Sequence, residues 1–207
     1  MTQNLALGSG SGAITLHAYD SDVSSDWVLP VAQTSGSDSW GDSYNINNEK
    51  HLYATGNTTY GNYYNWFTAT AGTGTSDMRS TSTTDLTNAE SSICPRGWRL
   101  PDGGQAPTKS FYALDIASGG DGELHYDADI VEKYLSAPYS FVYSGYYDVA
   151  SGVLYQGVVT QVLTRSAGTL AADGIVYAFN INKTNNAVGF QGMTPVGFGQ
   201  SVRCISK

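Results

Sequence analysis

Apolar and polar residues alternate over short stretches along most of the chain, which is the pattern of half-buried β-strands. Such runs occur at 13–19, 51–56 and 63–72 and, after residue 139, at 141–147, 152–163, 174–181 and 186–190. Gly- and Asn-rich turns separate them, and polar stretches at 33–50 and 72–92 have the composition of surface loops. Residues 1–12, which end in GSGSG, are expected to form a loosely held tail before a single domain at 13–207.

Two segments have a helical pattern instead. Residues 107–118 (PTKSFYALDIAS) carry apolar residues behind Thr108, a candidate N-cap. Residues 127–136 (DADIVEKYLS) have acids in the first turn and an apolar face formed by Ile130, Val131, Tyr134 and Leu135. Two modest helices among many short strands predict the α+β class.

Composition and charge exclude several kinds of partner. Charged residues make up 14% of the chain and the net charge is −8, with no run of Lys or Arg that would bind a phosphate backbone, so nucleic acid is not expected. No apolar stretch approaches the roughly 18 residues of a membrane helix, so no membrane contact is expected. The opening residues lack the regions of a signal peptide, which leaves a cytosolic location or export by a segment outside this sequence.

The usual catalytic signatures are missing. G-x-S-x-G, the Walker lysine motif and G-x-G-x-x-G before a helix do not occur, so no catalytic residue is assigned. No metal-ligand spacing connects the three histidines, His17, His51 and His125. Four acidic residues close together in the sequence could offer oxygens to a structural calcium ion, although their spacing departs from the EF-hand pattern. They are Asp121, Glu123, Asp127 and Asp129. The alternative is that they cap a helix within a solvated loop, and no other cofactor is expected.

Two cysteines, Cys94 and Cys204, lie far apart in the sequence. They either form a disulfide or are two separate buried thiols. A disulfide between them would close a long loop and stabilise the fold by about 4 to 5 kcal/mol in the chain-entropy model. It would also indicate an oxidising compartment.

Cys94 belongs to a distinctive segment, SSICPRGWRLPDGG at 91–104. Together with the closing GFGQSVRCISK and with YGNYYNWFTA at 60–69, this segment resembles the Fibrobacter succinogenes major paralogous domain family, in which C-P-x-G-W-x-L-P and a terminal S-V-R-C recur. The resemblance covers roughly residues 40 to 206. More distantly, WRLP before a helix resembles the formylglycine-generating-enzyme branch of the C-type lectin fold.

The resemblance implies a C-type-lectin-like fold in which the terminal strands pair and long irregular loops face a ligand. It implies a bridge from Cys94 to Cys204, with Trp98 and Leu100 pointing into the core. Arg99 and Arg203 would pair with acids or carbonyls there, the alternative being exposure to solvent. The calcium-binding tripeptides of sugar-binding lectins do not occur. The copper-binding cysteine pair of the distant oxidases is also not expected, because a disulfide would use both cysteines.

Proteins with this fold include the variable proteins of diversity-generating retroelements, whose C-terminal portion is a hypermutated binding surface. We therefore expect residues from about 153 to 198 to include diversified, ligand-binding sites. The candidates are Tyr155, Val159, Thr160, Val162, Leu163 and Arg165, flanked by Tyr143, Tyr146 and Tyr147. Tyrosine beside small polar residues suits adaptable recognition. The alternative is an ordinary strand, loop and strand whose residues fill space.

These observations together predict a non-catalytic, surface-displayed protein that binds a protein or glycan ligand. An extracellular or cell-surface location follows from the expected disulfide and from the resemblance. Two other functions stay open at this point. One is a carbohydrate-active or formylglycine-generating-like enzyme, and the other is a structural surface or pilus-associated module.

Overall fold

The computed structural model describes residues 3–6, 32–33, 53–57, 59–71, 88–148, 151–168 and 174–207. Within them the chain is a mixture of few helices and many, mostly antiparallel, strands, compatible with the predicted α+β class. The strand expected at 13–19 and most of the two polar stretches lie outside the described residues.

The largest sheet has four antiparallel strands in the order β5-β10-β9-β8. Their bounds are β5 His125–Tyr126, β8 Val159–Ala167, β9 Ile175–Asn182 and β10 Ala187–Pro195. Ile181 stands at the centre, opposite Thr160 on one side and Val188 on the other. The strand patterns at 152–163, 174–181 and 186–190 are confirmed over most of their length.

Two helices, α2 (Ser110–Ala117) and α3 (Ala128–Leu135), pack against this sheet. Asp127 caps α3 as a helix-capping acid should, since its side chain accepts from the amides of Asp129 and Ile130. The prediction that Thr108 caps the N-terminus of α2 is wrong. The Lys109 amide donates to the carbonyl of Ala106, which makes a turn there, and the helix begins after Lys109 without a side-chain cap.

A smaller sheet contains β1 (Ala32–Gln33), β2 (Tyr53–Asn57) and β3 (Gly61–Tyr64), in that order. The strand predicted at 63–72 is wrong beyond Tyr64, because the one-turn helix α1 (Trp66–Ala69) follows. Asn65 causes this change, since its side chain accepts from the Thr68 amide and caps the helix.

A disulfide connects the middle of the chain to its end. Cys94 and Cys204 are bonded, with Cα atoms 5.8 Å apart, which confirms the predicted bridge. Beside it β4 (Trp98–Arg99) pairs with β11 (Ile205–Ser206). Leu5, from the expected tail, donates its amide to the Val202 carbonyl and is 1% exposed, so this part of residues 1–12 packs into the core.

In the described ranges, two large clusters of buried apolar residues and a small one of Ala54, Tyr63 and Tyr147 form the core. The first, called here the disulfide-linked core, contains Leu5, Tyr64, Trp66, Ile93, Leu100, Leu163, Val202 and the cystine. The second lies between the large sheet and its helices and contains Phe111, Val131, Tyr134, Phe141, Val162, Phe179 and Phe190. Strand β8 contributes to both, since Leu163 belongs to one cluster and Val162 to the other.

A buried arginine holds the last segment against the loop after α3. Arg203 is 5% exposed and donates to the carbonyls of Tyr139 (2.5 Å) and Ser140 (3.0 Å), above the Phe141 ring. Burial lowers the pKa of Arg203 to about 10, so it stays charged at neutral pH. Both Arg203 and Arg99 therefore have the partners that the resemblance implies, carbonyls for one and an acid for the other.

Candidate ligand-binding face

A short hairpin, β6 (Tyr146–Asp148) and β7 (Gly152–Leu154), comes directly before β8. Its entry depends on Gly145, which has a φ of +71° and whose added side chain would overlap the backbone of Leu154 and Gln156. The Gly145 amide donates to the carbonyl of Val159 and so fixes the hairpin to the start of β8. The hairpin is therefore held at one end by the large sheet.

Three aromatic rings lie in a row along this hairpin. The rings of Tyr155 and Tyr146 have centroids 5.6 Å apart, and Tyr146 stacks on Phe198 at 5.5 Å with 14° between the planes. Tyr155 is 57% exposed, while Tyr146 and Phe198 are half-buried. Val153, 41% exposed, lies two positions before Tyr155 in the chain. We call Tyr155, Tyr146 and Phe198 the aromatic row.

The turn from β7 to β8 fixes the backbone of Tyr155. Its φ is +54°, a conformation that few non-glycine residues adopt, and its carbonyl accepts from the amides of Val158 and Val159. The neighbouring Gln156 is anchored to the interior, because its Nε2 donates to the hydroxyl of Tyr63 at 2.9 Å. An exposed aromatic side chain on a fixed backbone loses little conformational entropy when it binds.

The phenols of Tyr143, Tyr146 and Tyr147 stay protonated at neutral pH, because the pKa of each is raised. Burial raises the pKa of Tyr146, and the nearby Tyr155 and Asp148 raise it further. Burial also raises the pKa of Tyr143, with the Glu132 charge adding to it, and that of Tyr147, beside Asp148. Neutral phenols can both donate and accept hydrogen bonds, which suits a polar or mixed ligand.

Most of the residues predicted on β8 do not reach this face. Strand β8 packs on both sides, and five of the predicted site residues are buried: Val159, Thr160, Val162, Leu163 and, on β6, Tyr147. Thr160 uses its hydroxyl inside the fold, where it donates to the Val142 carbonyl at 2.6 Å. A ligand could touch these side chains only after a rearrangement of the core, and their role in binding stays a prediction.

Arg165 and Tyr143 are half-buried and have partners within the fold. The Nε of Arg165 donates to Oδ1 of Asp102 at 2.6 Å, and Nη1 of Arg99 donates to Oδ2 of the same carboxylate at 2.7 Å. Burial alone would raise the pKa of Asp102, but the two guanidinium groups outweigh it and lower that pKa. Through Asp102, Arg165 thus joins β8 to the segment at 91–104. Tyr143 lies with its ring 5.9 Å from the Lys183 ammonium.

Two residues of the face were not among the predicted sites. Phe198 belongs to the closing GFGQ motif, and it approaches Tyr146 because Tyr147 and Gly199 exchange backbone hydrogen bonds. That pairing joins segments far apart in the chain, and no local pattern indicates it. Val153 lies inside the region expected to vary, and its position in a short strand beside a turn was the available signal.

The acids proposed for calcium do not converge as a set. Within the described ranges, the one group of three or more close metal-ligand atoms combines Asp121 with Asp115 and His125. Glu123 is outside that group, and Asp127 and Asp129 lie at the start of α3. His17 and His51 fall outside the described residues.

Comparison with protein-family models, with curated proteins and with solved structures gives no match to this chain. The family resemblance therefore stays a prediction that rests on the three motifs. In the part of the chain that the structure describes, no helix has the length and apolar character needed to cross a membrane.

Proposed function

We propose that this chain is a non-catalytic binding protein with a C-type-lectin-like fold, displayed outside the cell, which holds a protein or glycan ligand on its aromatic row. The observation that carries the proposal is the contact of Tyr155 with Tyr146 and of Tyr146 with Phe198, with Tyr155 more than half exposed on a fixed turn. Aromatic rings supply large contact areas both to apolar protein surfaces and to the C–H faces of sugars.

The C-type-lectin-like fold is supported by how the two ends of the chain meet. The Leu5 amide donates to the Val202 carbonyl, and β11 near the C-terminus pairs with β4 in the segment at 91–104. Such pairing of terminal segments beside a disulfide is what the resemblance implies. The disulfide also favours an oxidising, extracellular environment.

A retroelement-type variable surface is supported by the contrast in exposure between neighbouring positions. Ser151, Val153, Tyr155, Gln156 and Gly157 are exposed, whereas β8 immediately after them is largely buried. Exposed positions on a fixed turn can change without opening a cavity in the core. We therefore move the centre of the proposed variable region from β8 to this turn.

The gene itself tests the diversification. A diversity-generating element would contain a reverse transcriptase and a near-copy of the 3′ coding segment that differs mainly at template adenines. We expect the differing codons to include 153, 155 or 156. Differences concentrated on Val162 and Leu163, or a locus without the near-copy and the reverse transcriptase, would contradict this part of the proposal.

Binding is tested with the oxidised full-length chain on an array of purified glycans and surface proteins. For a ligand retained on the array, Y155A and F198A should each weaken binding by about tenfold or more, as at interface positions that carry much of the binding energy. The matched control is I116A, which removes an exposed apolar side chain on α2 and should leave affinity within about twofold.

Two results of this experiment would contradict the proposal. One is a retained ligand whose affinity is the same for the wild type, Y155A and F198A, because binding would then use another surface. The other is chemical conversion of a glycan on the array, because the protein would then be an enzyme.

A further inference from the structure

A buried carboxylate on α2 plays no part in the proposed ligand face. Asp115 is 0% exposed. Its Oδ1 accepts from the Tyr134 hydroxyl at 3.0 Å, and its Oδ2 accepts from the Gly122 amide at 2.9 Å. Among the ion pairs of the described residues, Asp115 has no Lys or Arg partner, and its basic neighbour is His125. A buried negative charge requires a compensating positive charge or its own neutralisation.

His125 lies between this carboxylate and a second one. Its Nε2 is 2.9 Å from Oδ2 of Asp115 and 3.7 Å from Oδ1 of Asp121. One ligand atom from each of the three residues can be chosen so that all lie within 4.8 Å of one another. The side chains of His125 and Asp121 are 11% and 72% exposed, so the cluster is closed on the Asp115 side and open to solvent on the Asp121 side.

The local fold holds two of the three side chains in place. Asp115 lies in α2 and His125 in β5, where it pairs with Val188 of the central sheet. The chain between them turns tightly over the carboxylate, and a side chain at Gly120 would overlap it. Asp121 belongs to this turn, where its Oδ1 accepts from the Glu123 amide at 3.0 Å while most of its side chain stays exposed to solvent.

We propose that Asp115, Asp121 and His125 form a binding site for a divalent transition-metal cation of the Zn²⁺ type. Two carboxylates supply a charge of −2, which a divalent ion neutralises, and the buried one then has the positive partner that no Lys or Arg provides. Zinc takes one imidazole nitrogen and carboxylate oxygens at about 2.0 to 2.2 Å, which separates tetrahedral ligand atoms by roughly 3.3 Å. The two observed separations lie on either side of that value.

The donor set also selects among cations. Calcium prefers six to eight oxygen ligands, and magnesium prefers an octahedral set of oxygens, so an imidazole nitrogen beside two carboxylates suits neither. Binding requires the neutral imidazole with its proton on Nδ1, so that Nε2 presents its lone pair. The open side at Asp121 leaves the fourth position to water or to a group of another molecule.

The test uses the oxidised full-length protein, first stripped with a chelator and then titrated with ZnCl₂ by calorimetry. In parallel, CoCl₂ is added and the visible absorption of the bound cobalt is recorded. We expect one Zn²⁺ per chain at this site and a higher midpoint of thermal unfolding. H125Q and D121N should each weaken Zn²⁺ by more than about tenfold, since direct ligands matter at least as much as their supporting partners.

The matched control is E123Q, which neutralises an exposed acid of the same loop outside the cluster and should bind Zn²⁺ as the wild type does. CaCl₂ at equal concentration should leave the unfolding midpoint unchanged. D121N keeps the experiment decisive if H125Q unfolds, because Asp121 is exposed and its loss does not disturb the core. Lack of saturable Zn²⁺ binding by the wild type, or equal binding by D121N and wild type, would overturn the proposal and leave Asp115 and His125 as an internal pair only.

Discussion

Tyr155 and Leu163 are both large residues of one tyrosine- and valine-rich stretch, yet they lie in opposite environments. Tyr155 is 57% exposed at the end of a row of rings, whereas Leu163 is fully buried in the disulfide-linked core. The difference comes from what covers each segment. The Leu163 amide donates to the carbonyl of Ser201, so the C-terminal segment covers the outer edge of β8. The turn at Tyr155 is held by its backbone, by the Gln156 side chain and by the contact of Tyr155 with Tyr146, yet Tyr155 stays more than half exposed.

Neighbouring segments of similar composition therefore have separate physical roles in this chain. The disulfide-linked core joins residues from both ends and from the middle of the chain, so a change there affects folding. The aromatic row adds contact area at the surface, so a change there is expected to affect the proposed binding. Sequence variation that serves recognition would therefore have to fall on the exposed residues around the aromatic row and not on the disulfide-linked core.

The largest expected effect is loss of the disulfide. C94S/C204S removes a link between residues 110 positions apart, and we expect it to lower the free energy of unfolding by about 4 kcal/mol, chiefly because the unfolded chain gains entropy. Denaturant unfolding of the variant and the wild type, each with and without reductant, measures this. Reductant should destabilise the wild type alone, and equal stability of the two oxidised proteins would contradict the expectation.

The next effect is that of a cavity in the core. L163A should cost about 3 kcal/mol of unfolding free energy, since a fully buried leucine is replaced without collapse of its surroundings. Denaturant unfolding at neutral pH checks the value. Q156A, an exposed position between Tyr155 and β8, is the control, and it should lose no more than about 1 kcal/mol with its hydrogen bond to Tyr63. A smaller loss for L163A than for Q156A would show that β8 is not part of the core.

A third effect depends on pH. The lowered pKa of Asp102 means that its ion pairs with Arg99 and Arg165 stabilise the fold above the unfolded pKa of about 3.9. That stability is lost as the pH falls from about 4 through the folded pKa. D102N should cost about 2 kcal/mol at neutral pH, since charged hydrogen bonds disappear.

The pH dependence distinguishes this explanation from simple damage to the fold. Unfolding midpoints measured between pH 7 and pH 2 should fall more steeply below pH 4 for the wild type than for D102N. Parallel curves would indicate that the carboxylate of Asp102 is not the titrating group.

The sequence predicted regular elements better than it predicted their surroundings. The period of α3, its acidic cap at Asp127 and the runs that became β8 to β10 are local signals, and each segment forms close to where it was expected. The helix at Trp66 was missed because the aromatic residues before it also suit a strand, and the cap at Asn65 decided the outcome. The disulfide was predicted because the chain has two cysteines and a recognisable motif around each.

The candidate face was predicted only in part, for a physical reason. Alternation along β8 indicates a strand but does not tell whether one side or both are covered, and here two separate core clusters cover both. The contact of Tyr146 with Phe198, and that of Asp115 with His125, likewise depend on how distant or turning segments meet. Tyr155 was predicted as a binding residue within one strand-like run at 152–163, and the structure places it at an exposed turn between two strands; its role in binding stays a prediction.

The smallest effect on stability is expected at the face. Y155A removes an exposed ring, and we expect the free energy of unfolding to change by no more than about 0.5 kcal/mol. Denaturant unfolding beside I116A, another exposed apolar position, measures it. A loss comparable to that of L163A would mean that the ring of Tyr155 stabilises the fold and is not free to serve recognition.

A saturation library at positions 153, 155, 156, 162 and 163, displayed on cells and scored for folding by protease resistance, tests the separation of face and core most directly. We expect polar and apolar residues alike to give folded protein at Val153, Tyr155 and Gln156, apart from proline and, at Tyr155 with its φ of +54°, the β-branched residues. At Val162 and Leu163 only apolar residues of similar size should do so. Equal tolerance at the two sets of positions would show that the core and the exposed face are not separate, and that no fixed core supports a face whose side chains can change.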